Sequence, residues 1–134
     1  MKAREAIAAV QGVPYRHHGK DLFGFDCFGW VEWFYANVHG ITITDRRGQD
    51  STPDGLSEGY QAQHDWIELD GPRDGCVAVM RGRINGKTVP EGHAGIYLDG
   101  KIFHFEDGRG FMAQKVTDIS IRNRVTHWMI HKGI

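Results

Sequence analysis

The dipeptide Asp99-Gly100 constrains the fold more than any other feature, because it separates two alternating runs, HAGIYL and KIFHFE. Such a dipeptide between strand-like runs is typical of a two-residue type I′ hairpin turn. The turn also fixes the register, since it pairs Leu98 with Lys101 and places Gly95 opposite His104. The sequence therefore predicts an antiparallel hairpin with a defined pairing.

The predicted register brings two histidines, His93 and His104, to one face of the sheet, because side chains alternate between faces along a strand. The two are diagonal neighbours, about 7–8 Å apart at the backbone, which lets two imidazole rings meet. Gly95 has no side chain and leaves room across from His104. The alternative is that both are incidental strand residues, since a buried histidine is usually structural.

A cysteine stands at the start of a predicted helix in the segment DCFGWVEWFYANVHG. Apolar residues repeat there at helical spacing, at Val31, Phe34, Tyr35 and Val38, and Gly40 is a natural stop. The helix is predicted from about Cys27 to His39, with Cys27 one turn before Val31 on the inward face. Asp26 occupies the N-cap position, although Gly29 denies it a reciprocal capping partner.

The placement of Cys27 favours nucleophilic chemistry, because a helix start stabilises a thiolate and a neighbouring imidazolium lowers a thiol pKa. His93 is the candidate base, and His104 is the candidate group that fixes its tautomer. Cys76 opens a strand without a helix dipole, and we interpret it as a packed small residue. A zinc site made of Cys27, His93 and His104 is a second interpretation, since these ligand types suit that metal.

The remaining pattern places helices before strands. A first helix at Ala3–Val10 ends at Gly12, and further strands are predicted in CVAVMR and RVTHWMIHK. We expect GRINGKTVPEG and TDRRGQDSTPDG to be loops and LSEGYQAQHDWIEL to hold a short helix. We interpret Arg122, Arg124, His127, His131 and Lys132 as a solvated basic end. The expected structure is a single domain over residues 1–134 of the α+β class, with N-terminal helices on a central antiparallel β-sheet.

Composition excludes several classes of function. The 134 residues include 40% hydrophobic and 25% charged residues, which is ordinary for a globular domain. A net charge of −1 gives no field for collecting nucleic acid. No apolar run approaches the roughly 20 residues that a membrane-spanning helix needs. The first twelve residues contain Glu5 and do not resemble a signal peptide, so we expect synthesis in the cytoplasm without one.

Several segments taken together resemble the NlpC family of papain-like cell-wall cysteine peptidases. These are GVPYRHHG, FGFDCFGWVEWFY, DGCVAV and HAGIYLDGKIFHF, and they extend from about Gly12 to Phe105. The resemblance implies a papain-like fold with Cys27 as nucleophile, His93 as general base and then acid, and His104 orienting His93.

Two further residues take roles that the resemblance implies. Tyr15 matches a tyrosine whose hydroxyl lies near the nucleophile and helps to stabilise the oxyanion. The backbone N–H of Cys27 would be the other oxyanion donor. Asp26 matches the family aspartate, which we interpret as a capping residue.

Two positions depart from the family pattern. Phe28 follows the nucleophile where the family often has serine, and its bulk would narrow or reshape the cleft. Cys76 follows Gly75 where the family often has an acid.

The function that the resemblance implies is cleavage of peptidoglycan stem peptides at the bond from γ-D-glutamyl to a diamino acid, through an acyl-enzyme and without metal or cofactor. The chain resembles the compact versions found in phage tail tips. We therefore expect the stem peptide and phage tail-tip proteins as partners, and delivery to the cell wall in a virion or by non-classical export. The alternative is a structural tail-tip component with the same fold and little or no activity.

Overall fold

A computed structural model describes residues 1–43 and 65–134 of the protein. The predicted loop TDRRGQDSTPDG and most of the predicted short helix lie outside these residues. The helices are α1 (Ala3–Ala9), α2 (Cys27–Phe34) and α3 (Ile119–Arg122), and one π-helical turn (Tyr35–His39) continues α2. The strands are β1 (Lys20–Asp21), β2 (Gly24–Phe25), β3 (Trp66–Leu69), β4 (Val77–Ile84), β5 (Lys87–Leu98), β6 (Lys101–Glu106), β7 (Gly110–Lys115) and β8 (Val125–His131).

Six strands form one sheet in the order β3-β8-β4-β5-β6-β7, and β1 and β2 form a separate small ribbon. Every paired neighbour in the large sheet is antiparallel. This arrangement confirms the predicted α+β class. The end of the predicted short helix is instead strand β3, because Trp66–Leu69 pairs along β8.

The turn at Asp99-Gly100 is the predicted hairpin turn. Its two residues have φ values of 52° and 80°, the positive values that a type I′ turn requires. The ladder pairs Leu98 with Lys101, Tyr97 with Ile102 and Ile96 with Phe103, as predicted. A Cβ atom on Gly95 would lie 3.0 Å from Cβ of His104, so the missing side chain does leave the needed space.

A second turn of the same kind overturns the expectation that GRINGKTVPEG is a loop. Asn85 and Gly86 have φ values of 52° and 79°, and the strands continue to Ile84 before the turn and from Lys87 after it. An Asn-Gly dipeptide is itself a strong hairpin signal, and the surrounding polar residues concealed it. The β4–β5 ladder continues from Gly82–Val89 to this turn, past the last β4–β8 pair at Met80, and this part of the two strands is called the arm.

The two faces of the large sheet carry different layers. Helices α1 and α2 share one apolar cluster with Val79, Ala94, Ile96, Phe103 and Phe105 of the strands. The indole N–H of Trp30 in α2 donates to the carbonyl oxygen of Phe103 at 2.8 Å, which ties the helix to β6. A smaller cluster of Ala78, Met80, Ile102 and Ile121 joins α3 to the sheet. None of the helices described here is long and apolar enough to cross a membrane.

Candidate functional site

Cys27 is the first residue of α2, and its position is fixed by the loop before it. The carboxylate of Asp26 accepts from the backbone N–H of Gly29 at 2.6 Å, which confirms the predicted N-cap. The backbone N–H of Asp26 donates to the carbonyl oxygen of Gly19 at 2.9 Å. That same oxygen lies so near Gly29 that an added Cβ there would be 1.9 Å away. The loop and the first turn are therefore in direct contact.

A cleft of about 640 Å³ opens beside this helix start. It is lined by Cys27, His93 and Tyr15, three of the residues that the sequence predicted to form one site. His104, which was predicted to orient His93, contacts His93 on the side away from the cleft and is fully buried. The arm formed by β4 and β5 supplies another part of the lining, from Arg81 to Asn85.

A chain of hydrogen bonds leads from the cleft into the protein. Nε2 of His93 contacts Nδ1 of His104 at 2.7 Å, which confirms that the two histidines meet. Nε2 of His104 contacts Oε1 of Gln114 at 2.6 Å. Because an amide oxygen only accepts, His104 carries its proton on Nε2 and accepts at Nδ1 when it is neutral. His93 therefore donates from Nε2, which leaves Nδ1 with the lone pair of a base.

Burial keeps this pair of histidines neutral. Desolvation lowers the pKa of His93 well below its ordinary value, and a proton on His104 and the positive charge of Arg124 lower it further. Desolvation also lowers the pKa of His104, while the hydrogen bond to Gln114 and the charge of Glu106 raise it in part. Both shifts favour the neutral rings at neutral pH, which agrees with the single hydrogen bond between them.

An ion pair lies against the two histidines. Nη1 of Arg124 bonds to Oε1 of Glu106, and that oxygen is 3.7 Å from Nε2 of His93 and 3.8 Å from Nδ1 of His104. Arg124 also donates twice to the carbonyl oxygen of Arg81, at 3.2 and 3.1 Å. The interpretation of Arg124 as part of a solvated basic end is thus wrong, because its charge is paired beside the cleft.

Tyr15 keeps its proton in this setting. Burial raises its pKa to about 12, and the Cys27 thiolate, when it forms, acts in the same direction as the negative charges of Asp26 and Asp107. A phenol that stays protonated can donate a hydrogen bond to an anion formed in the cleft.

The two departures from the family pattern have different surroundings. The side chain of Phe28 is buried, and the residue still contributes to the lining of the cleft. Cys76 is fully buried outside the cleft, and burial raises the pKa of its thiol. The backbone N–H of Arg73 donates to its sulfur at 3.5 Å. Cys76 is therefore a packed residue, as the sequence predicted.

The described side chains that lie close enough together to bind one metal ion are not the three of the predicted zinc site. Among the residues that the structure describes, one group has its ligand atoms within 4.8 Å, namely His93, His104 and Glu106, and Cys27 is not a member. Nε2 of His93 and Nδ1 of His104, the two nitrogens nearest the Glu106 carboxylate, are hydrogen-bonded to each other. The two imidazoles cannot both turn those nitrogens to one ion without breaking that bond.

Three residues around the histidine pair escaped the sequence analysis as functional groups: Glu106, Gln114 and Arg124. The hairpin register did place Glu106 opposite His93, so its position was available. Gln114 would have required a prediction of β7, where it pairs with Ile102 on the face that His104 shares. Arg124 precedes β8 and reaches the site only through tertiary structure, so no local signal could have found it.

The six-stranded antiparallel sheet with its packed helices is a papain-like α+β fold, and one cleft is lined by both the helix-start cysteine and His93. The chain belongs to the NlpC/P60 family, whose model matches residues 12–130. The family consists generally of cysteine peptidases that act on peptidoglycan, and it includes non-catalytic members.

Solved structures support the fold at low sequence identity. The NlpC/p60 domain of the peptidoglycan hydrolase SagA matches with a TM-score of 0.60 and 21% identity, over 97% of this chain and 99% of that one. A lipoprotein-like NLP/P60 protein from Staphylococcus aureus matches with a TM-score of 0.64 and 21% identity, over 95% of this chain and 39% of its own.

RipD from Mycobacterium tuberculosis is also similar, with a TM-score of 0.58 and 18% identity over 96% of this chain and 95% of RipD. RipD is described as a non-catalytic NlpC/p60 domain protein adapted to peptidoglycan binding. A search of curated proteins finds no match.

Proposed function

We propose that the protein is a thiol peptidase that hydrolyses the stem peptides of peptidoglycan. The observation that carries the proposal is the hydrogen-bonded chain from Gln114 through His104 to His93, which ends in the cleft that Cys27 lines. This chain leaves the basic nitrogen of His93 free. A base with a fixed tautomer in the same cleft as a helix-start thiol is the arrangement that activates a nucleophile.

The proposed reaction has two stages. Nδ1 of His93 takes the proton of Cys27, and the thiolate attacks the scissile carbonyl carbon. The backbone N–H of Cys27 and the hydroxyl of Tyr15 donate to the oxyanion, and His93 then protonates the departing amine. Water, deprotonated by His93, attacks the resulting thioester and releases the acid with the free thiol. His104 holds His93 in its tautomer throughout.

The proposed bond joins γ-D-glutamyl to a diamino acid, and two arginines of the cleft support this choice. A γ-linked glutamyl residue keeps its α-carboxylate free, next to the bond to be cut. Arg81 and Arg83 line the cleft, and their guanidinium groups bond to the backbone carbonyls of Asn123 and Gly86. Each guanidinium keeps its charge in these bonds to neutral carbonyls, so either could pair with the free α-carboxylate of the peptide.

The proposal extends to delivery by a phage tail, with tail-tip proteins as partners and the virion or non-classical export as the route to the wall. The support for this part is the resemblance to compact tail-associated versions. It is tested by asking whether the protein is present in purified virions of a phage whose tail genes adjoin its gene. Its absence from such virions would contradict this part alone.

The activity is tested with a stem tetrapeptide that contains the γ-D-glutamyl–diaminopimelate bond, with products identified by mass spectrometry. We expect cleavage that iodoacetamide and Cys27→Ala abolish and that EDTA leaves intact. Cys76→Ala is the matched control, because it removes the other thiol away from the cleft. Inhibition by EDTA would favour a metal-dependent reaction instead.

A non-catalytic role is the alternative, as a structural or wall-binding component with the same fold, and the likeness to RipD favours it. The absence of product from both the tetrapeptide and intact peptidoglycan, together with co-sedimentation on peptidoglycan by wild type and Cys27→Ala alike, would support this alternative.

A further inference from the structure

One oxygen atom links the ion pair to the histidine pair. Oε1 of Glu106 is nearly equidistant from the two nitrogens that share the hydrogen bond between His93 and His104, at 3.7 and 3.8 Å. These distances are too long for hydrogen bonds but well within the range at which one charge shifts the pKa of another. The same oxygen accepts from Arg124.

We propose that Glu106 and Arg124 act as positioning residues whose opposed charges set the protonation of the His93–His104 pair. The carboxylate favours the charged form of the imidazoles and the guanidinium favours the neutral form. Burial keeps the base neutral before the reaction, and the balance of these two charges sets how readily the pair accepts a proton during it.

The burial of the ion pair supports this role. The side chain of Glu106 is 20% exposed and that of Arg124 is 30% exposed, so water screens both charges only in part. Arg124 is held in place by its two bonds to the carbonyl oxygen of Arg81 on β4. The carboxylate oxygen lies 3.7 Å from Nε2 of His93 and 3.8 Å from Nδ1 of His104. A charge fixed in this way has a constant effect on the imidazoles.

Other groups line the same cleft as His93 or contact His104 directly. They are Cys27 on α2, Tyr15 on the loop before β1, Arg81 on β4, Asp107 after β6 and the neutral Gln114 on β7. Burial opposes charge on both rings whatever their neighbours. Glu106 raises and Arg124 lowers the pKa of His104, and Arg124 also lowers the pKa of His93. Removing one or the other should therefore move the titration of the hydrogen-bonded pair in opposite directions.

The consequence for catalysis rests on the proposed function. When His93 takes the proton of Cys27, the new positive charge lies 3.7 Å from the carboxylate through its Nε2 atom. Loss of that carboxylate should lower kcat about tenfold and leave KM nearly unchanged, since a shift of one pKa unit corresponds to a factor of ten.

The inference itself is tested without any substrate. The imidazole resonances of His93 and His104 are followed by NMR from pH 4 to 9 in the full chain, assigned with His93→Gln and His104→Gln. Arg124→Gln should raise the apparent pKa of the pair by about one unit, because it leaves the carboxylate uncompensated. Glu106→Gln should lower it, or keep the pair neutral down to the pH of unfolding.

Three further variants complete the design. Arg124→Lys keeps the charge and should retain the wild-type titration, although the bonds to Arg81 are lost. The double variant Glu106→Gln, Arg124→Gln should also titrate near the wild type. Glu68→Gln is the matched control, since Glu68 accepts from His127 at 2.8 Å in a carboxylate–histidine pair that does not line the cleft.

The inference is overturned if Arg124→Gln leaves the titration in place or lowers it, or if Arg124→Lys shifts it as far as Arg124→Gln does. A purely structural role would move the free energy of unfolding in these variants without opposite pKa shifts. If the titrations move as expected but no variant or wild type cleaves a peptide, then the proposed function fails and the inference stands.

Discussion

The two cysteines of the chain occupy opposite kinds of environment. Cys27 begins a helix, is partly buried and lines a cleft with a neutral histidine. Cys76 precedes a strand, is fully buried and has a thiol pKa that burial raises. One residue type thus serves as a candidate nucleophile in one place and as core packing in the other. The comparison teaches that a thiol becomes a nucleophile through backbone geometry and neighbours, which composition does not reveal.

The largest expected difference between them is in activity. Cys27→Ala should lower kcat/KM on the stem tetrapeptide by about 10⁴-fold or more, because it removes the atom that forms the covalent intermediate. Cys76→Ala should keep kcat/KM within about threefold of wild type and lower the free energy of unfolding by about 1 kcal/mol. Comparable losses of activity in the two folded variants would break the comparison.

The second prediction concerns the support behind the Cys27 cleft. His104→Leu should lower kcat by about 10²–10⁴-fold, because Nε2 of His93 loses its acceptor and its tautomer is no longer fixed. Gln114→Leu should have a smaller effect in the same direction, since it acts one hydrogen bond further away. Steady-state kinetics with circular dichroism as a check on folding would measure both. Wild-type kcat in folded His104→Leu would contradict the role given to His104.

The third prediction compares the thiols directly. Iodoacetamide at pH 7 should modify Cys27 at least about 100-fold faster than Cys76, because only the first has access to solvent and a helix start that stabilises thiolate. Intact-mass analysis with peptide mapping gives the two rates in one sample. In denaturant the rates should become nearly equal. Equal rates in the native protein would show that Cys27 has no special environment.

The smallest expected effects are on stability. The histidine pair beside the Cys27 cleft should affect it at acid pH, and Cys76 in the core should affect it at alkaline pH. The folded pKa values of His93 and His104 lie below the unfolded value of about 6.5, so the unfolded chain binds more protons as pH falls below that value. The free energy of unfolding should fall with acid, by up to about 1.4 kcal/mol per pH unit for each histidine.

At alkaline pH, the free energy of unfolding should depend on the ionisation of Cys76. The folded pKa of Cys76 lies above its unfolded value of about 8.5, so its contribution to stability is present below that pH and is lost as the pH rises. Urea unfolding from pH 5 to 9.5 measures both limbs. His104→Leu should flatten the acid limb and Cys76→Ala the alkaline limb. If His104→Leu changed only the alkaline limb, or Cys76→Ala only the acid limb, these groups would not be the cause of the pH dependence of stability.

Much of the site could be predicted because local chemistry determined it. The Asp99-Gly100 turn determines a register, and the register determines that His93 and His104 meet. Asp26 and Gly40 likewise mark the start and end of the helical segment through backbone requirements at single residues.

Other parts could not be predicted, for physical reasons. Arg124 pairs with Glu106 across 18 positions in sequence, and no short-range pattern anticipates such a contact. The strands around Asn85 were predicted to be a loop. Few of their side chains are buried, so the apolar alternation that indicates a strand is weak there. Strand β3 was missed because its residues alternate poorly, and its pairing with β8 decides its conformation.

The contact between Gly29 and the carbonyl oxygen of Gly19 gives the Asp-Cys-Phe-Gly motif a second meaning. Cys27 is needed for its sulfur. Gly29, two residues later, is needed because it has no side chain, since an added Cβ would be 1.9 Å from that oxygen. The site can therefore be lost by two independent routes, and only one of them removes the sulfur. A relative that keeps the cysteine but carries a larger residue at the glycine position should be examined as an inactive protein despite its intact reactive group.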